Sequence, residues 1–65
     1  MSALAPALIQ VQLSDEQAWA LAEFLKRMAF NQWRALAADD QEAQQMQDAG
    51  QHLRQALAEQ GFAPR

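Results

Sequence analysis

Asp39, Asp40 and Glu42 form the densest group of carboxylates in the chain. Paired carboxylates can carry general acid–base chemistry or hold a hard cation. Here they stand where a helix begins, and the exposed N–H groups of a helix start favour negative charge. No calcium-loop spacing surrounds them, and capping alone accounts for the residue types. His52 is the only histidine and cysteine is absent, so neither a His cluster nor a thiolate metal site can be assembled. A catalytic histidine also needs a nucleophile or an orienting partner, whereas His52 falls among Gln and Arg on a polar helix face. The serines are Ser2 and Ser14, and Ser14 is placed to cap a helix. There is no glycine-rich phosphate loop. The expectation is a protein that is not an enzyme, with no catalytic residue, no cofactor and no metal.

The residues that could instead make contacts are aromatic and basic. Trp19, Phe30 and Trp33 lie beside Arg27 and Arg34, and aromatics and Arg are enriched among the residues that dominate protein interfaces. The elements that carry them are helical. Fifteen Ala and eleven Gln stand beside only two Gly and two Pro. Ala and Gln favour helices, and Gly and Pro are the main breakers. Thr, Tyr and Cys are absent, and the β-branched residues are Ile9 and Val11. The fold expected is all-α: a helical hairpin or three-helix unit with a short N-terminal extended arm, dimerising into a helical bundle.

One domain of 65 residues follows from length, divided into an arm over 1–13, a first helical region over 14–38 and a second long helix over 39–60. Residues 1–6 read as a flexible tail. In residues 9–13, Ile9, Val11 and Leu13 alternate with Gln10 and Gln12, the pattern of a half-buried strand. No second strand is visible, so a strand here would have to pair across a two-fold axis or with a partner. The simpler alternative is an extended arm lying on the helices.

The first helical region opens on a capping box, Ser14 with Gln17 three residues on, followed by Asp15 and Glu16 in the first turn. Asn31 is a weak helix former and marks a candidate kink. Asp39 and Glu42 repeat the capping logic for the second helix. That helix closes on Gly61, with Phe62 placed to fold back on Leu57 in the Schellman manner and Pro64 preventing continuation.

The second helix has a single apolar stripe, Ala43, Met46, Ala49, Gly50, Leu53, Ala56 and Leu57. Gly50 lies within it and costs about 1 kcal/mol relative to Ala, which points to close approach by another helix or a Trp ring. In the first region the stripe Ala18, Leu21, Ala22, Leu25, Met28, Ala29, Trp33 and Leu36 is flanked by Phe24 on one side and by Trp19 and Phe30 on the other. A continuous helix would then carry an apolar arc of roughly 240°, far wider than one neighbour can cover. Three arrangements relieve this. The helix breaks near Asn31 and the aromatics meet within one chain; two hairpins form a four-helix bundle; or Trp19, Phe30 and Trp33 await a different partner. Leu21, Leu25, Met28, Met46, Leu53 and Leu57 are the expected core.

A domain of this size is only marginally stable without disulfides, a metal or oligomerisation. With the first two excluded, a homodimer is the expected state, alongside a protein partner. The formal net charge of −3 and pI near 4.7 make the protein acidic and weigh against nucleic acid and membrane surfaces. Residues 1–13 lack a basic n-region with a long apolar core, and no apolar run approaches the roughly 20 residues of a membrane span. A cytoplasmic location is the default.

Two resemblances bear on function. A strand followed by two helices, assembled as a dimer, resembles the ribbon–helix–helix DNA-binding regulators, in which polar strand residues read base edges; Gln10 and Gln12 would be the readers. The arm has no Lys or Arg, Asp39, Asp40 and Glu42 would repel phosphate at the second helix start, and the charge is negative. This is therefore an alternative only. The stretch LSDEQAWALAEFLKR over 13–27, the run Asp39-Asp40-Gln41-Glu42-Ala43, Leu53-Arg54 and the ending Gly61-Phe62-Ala63-Pro64-Arg65 together resemble a group of small uncharacterised helical proteins of bacteria and their mobile elements. The resemblance spans residues 11–65 and implies no activity and no catalytic residue. By analogy it implies an inhibitor that binds a host defence protein. The function expected is a non-catalytic protein–protein interaction module, regulatory or inhibitory, with a small structural homo-oligomer as a further alternative.

Overall fold

The computed structural model describes residues 6–65, so most of the tail expected over 1–6 lies outside the described residues. Three helices follow one another: α1 Asp15–Arg27, α2 Phe30–Leu36 and α3 Asp40–Glu59. The all-α class is as expected, and the described residues contain no strand. α3 packs against both α1 and α2, and these two meet through the side chains of Phe24 and Trp33 rather than along their backbones. The first helical region therefore lies as two pieces along one long helix.

The helix ends are set by local chemistry. Ser14 Oγ accepts from the Gln17 N–H at 3.1 Å, while the Ser14 N–H donates to Gln17 Oε1 at 2.9 Å. This is the full capping box, which satisfies two donors that a helix start leaves without partners. Asp39 Oδ1 accepts from the Glu42 N–H at 2.8 Å, but Glu42 Oε1 reaches one residue further back, to the Ala38 N–H, also at 2.8 Å. At the far end of α3 the Phe62 N–H donates to the Leu57 carbonyl at 2.9 Å and the Gly61 N–H to the Ala58 carbonyl at 3.0 Å. Gly61 has φ +99, the left-handed conformation that the Schellman end requires and glycine adopts without steric cost.

The break in the first region lies at Met28 and Ala29, not at Asn31. Both residues are extended, with ψ 133 and 165, and Asn31 sits in the first turn of α2. Neither Met nor Ala disfavours a helix, so propensity does not cause the break. Two interactions hold it. Gln32 Oε1 accepts from the Ala29 N–H at 2.7 Å and caps the new helix start. The turn also lets Trp33 fold onto α3: a Cβ built on Gly50 would lie 3.0 Å from Trp33 Cζ2 and 3.6 Å from Leu25 Cδ2. Gly50 is thus the seat of a Trp ring, as its place in the apolar stripe suggests.

The core is small. Ala18, Ala22 and Leu25 from α1 and Leu57 from α3 form its centre, with Leu21, Trp33 and Phe62 packed around them, and Ala43 is fully buried near the start of α3. Small side chains let the helices approach closely, but among the described residues only two large side chains, Leu25 and Leu57, are buried, and neither completely. Leu21, Met28 and Met46 are half-buried. Leu53, expected in the core, is 40% exposed. The buried side of α3 runs through Ala43, Met46, Gly50, Arg54 and Leu57, so Leu53 falls on its flank, where no helix covers it.

Candidate interaction surface

The residues expected to form an interaction surface are divided between two helices, Trp19 and Arg27 on α1 and Phe30, Trp33 and Arg34 on successive turns of α2. Trp19 packs edge-on against Phe62, ring centroids 5.3 Å apart at 78°. Trp33 meets Phe24 in a similar edge contact at 6.4 Å and 86°, and is half-buried on Gly50. Such edge-to-face pairs add about 0.5–1.5 kcal/mol to the burial of the rings. Phe30 lies exposed in the first turn of α2. Arg27 pairs with Glu23 one turn back, at 2.8 Å. Arg34 pairs with Asp40 and also donates to the Ala37 carbonyl, tying the end of α2 to the start of α3. The wide apolar arc is thus relieved by the break and by Phe62, the aromatic partner that Trp19 finds from the end of α3. The Phe62 turn is legible in the sequence; its contact with Trp19 is not, because it joins opposite ends of the chain.

The carboxylates are occupied structurally. Asp39 and Glu42 satisfy backbone N–H groups and Asp40 binds Arg34. Among the described residues, no cluster of His, Asp and Glu is arranged to hold a metal ion. No helix of the described residues is long and apolar enough to cross a membrane.

The most continuous run of exposed large apolar side chains lies elsewhere, at the arm. Leu8, Ile9 and Val11 are 87, 78 and 68% exposed. The arm borders an open groove of about 890 Å³ whose other wall is the last turns of α3, with Leu53, Leu57 and Phe62 in it. Every residue lining the groove is uncharged. Among the described residues, the backbone of 9–13 makes no hydrogen bond.

The chain belongs to a family of unknown function, DUF7706. The family model matches residues 1–65, the whole sequence. No curated protein and no solved structure matches the chain. The family membership agrees with the resemblance to uncharacterised small proteins, and it assigns no activity.

The surface area gives the arm its weight. The chain exposes 5548 Å². A compact monomer of 7.3 kDa exposes about 4,200 Å². The surplus is about 1,400 Å², and about 900 Å² remains even when residues 1–5 are assigned the full surface of an unfolded segment of their mass.

Proposed function

We propose that the protein is a non-catalytic protein–protein interaction module that acts as a homodimer. The surplus surface carries this reading. About 900 Å² beyond the needs of a compact monomer compares with about 800 Å² that each partner contributes to a standard interface. The arm and the adjoining flank of α3 hold the most continuous run of exposed large apolar side chains, with Leu8, Ile9, Val11, Leu13 and Leu53 in it; Trp19, Phe24, Phe30 and Leu36 are exposed elsewhere on α1 and α2. Contiguous apolar patches of this kind mark association sites. A core with two large buried side chains supports the same reading, because a domain this small gains stability by association. A module of this kind acts by occupying a surface and not by turning over a substrate, which suits a regulatory or inhibitory role.

Static light scattering at micromolar concentration tests the reading. The expected mass is twice the 7.3 kDa of one chain. A single-chain mass that persists as concentration is raised through the micromolar range would overturn it.

A further inference from the structure

We infer that the two chains meet through their arms, which pair as an antiparallel two-stranded ribbon centred on Val11 and Val11 of the second copy, covering the groove beside α3. This rests on the homodimer reading and specifies how the dimer is built.

Four observations lead to it. The first is the pattern Ile9-Gln10-Val11-Gln12-Leu13, which reads the same in both directions in apolar and polar character. In antiparallel pairing about Val11, Ile9 of one chain faces Leu13 of the other, Val11 faces its own copy, and Gln10 faces Gln12. All apolar side chains then fall on one face of the ribbon and all Gln side chains on the other, as strand alternation requires. A shift of register by one residue breaks this match. The second is the backbone of 9–13, which among the described residues donates and accepts no hydrogen bond and so offers a strand edge.

The third is charge. Each chain carries a net charge of −3, so association opposes like charges. The groove lining has no charged residue, Asp39, Asp40 and Glu42 lie at the other end of α3, and the carboxylates beside the groove, Asp15, Glu16 and Glu59, stand outside its lining. The fourth is area. The uncovered surplus of about 900 Å² per chain matches one side of a stable interface. An isolated two-stranded ribbon is not stable in water and needs a surface to pack on. The apolar face of Ile9, Val11 and Leu13 has that surface in the groove at Leu53 and Phe62, both incompletely buried by the chain's own helices.

Because the chain contains no cysteine, single cysteines report the geometry directly. Facing residues of an antiparallel pair have Cα atoms about 4.5–5.5 Å apart, within disulfide reach. Val11→Cys should therefore cross-link to its own copy under mild oxidation. Ile9→Cys faces Leu13, and its own copy lies about 14 Å along the ribbon, out of reach. The expected result is Val11→Cys cross-linking at least about tenfold faster than Ile9→Cys. An equal mixture of Ile9→Cys and Leu13→Cys chains should recover the fast rate as the mixed disulfide, without altering Val11. Light scattering on the unmodified chain runs in parallel. A dimeric mass with no preference for Val11→Cys and no gain in the mixture would overturn the arm pairing while leaving self-association intact. A single-chain mass would overturn both, and would leave the groove to an unlike protein.

Discussion

Gly50→Ala tests whether the first helical region breaks and folds its tryptophan back on α3. The new methyl would sit 3.0 Å from Trp33 Cζ2 and 3.4 Å from Cη2. Two effects oppose each other. Alanine is favoured over glycine in a helix interior by about 1 kcal/mol. An extra methyl in a packed contact costs about 1–3 kcal/mol. The ring is half-buried, so it can retreat by a few tenths of an ångström, which places the cost near the middle of that range. The expected net loss is about 1 kcal/mol, or about 4–8 °C in Tm for a domain of this size. A cycle with Trp33→Leu sharpens the test, because Leu lacks the two ring atoms and stays apolar. In that background Gly50→Ala should stabilise by about 1 kcal/mol, giving a coupling of about 2 kcal/mol. Thermal unfolding followed by far-UV circular dichroism reads both, at one fixed protein concentration because association shifts Tm by mass action. If Gly50→Ala raises Tm equally in the two backgrounds, the ring does not seat on Gly50 and the break at Met28 and Ala29 has lost its tertiary cause.

Three further substitutions address other joints of the fold. Ser14→Ala removes the acceptor that holds the Gln17 N–H at 3.1 Å and should cost about 1 kcal/mol in the same unfolding assay; no change would show that the Gln17 side chain alone suffices to start α1. Gly61→Ala meets nothing within 4 Å, so its expected cost of about 1 kcal/mol comes from the backbone at φ +99 alone; an unchanged Tm would mean that α3 ends differently. Phe62→Ala removes the edge contact with Trp19 and part of the packing on Leu57. It should cost about 2 kcal/mol and shift Trp19 emission to the red in a Trp33→Phe background; unmoved emission would place Trp19 elsewhere.

The parts of the fold legible in the sequence are those decided within a few residues. Ser14 with Gln17, Asp39 with Glu42, and Gly61 with Phe62 each satisfy backbone groups at a helix end, and the residue types alone announce it. Gly50 was legible for a related reason: a glycine in an apolar stripe signals close approach, and Trp33 is what approaches. The break at Met28 and Ala29 was not legible, because two good helix formers give way only when a tertiary contact outweighs their propensity. Asn31, the locally weaker residue, drew attention to the wrong position by two to three residues.

The candidate surface was harder still. Trp19 and Trp33 each meet a distant aromatic or glycine within the same chain, so the flank that argued for a second copy is only partly covered, and Trp19 and Phe30 stay exposed. The most continuous uncovered apolar run is the arm, whose alternating pattern is visible in the sequence but whose lack of a covering helix is a tertiary outcome. Leu53 shows the same effect: helical spacing puts it in the stripe, yet it is 40% exposed on the groove side of α3.

Amide hydrogen exchange across residues 9–13, in concentrated solution, tests the arm pairing most directly. Alternate amides of the arm should exchange about tenfold or more slower than in an unfolded chain, and Val11→Asp, which sets two carboxylates against each other at the two-fold, should abolish that protection while leaving α3 protected. Arm amides that all exchange at the unfolded rate, at concentrations where the amides of α3 are protected, would contradict a dimer built through the arm.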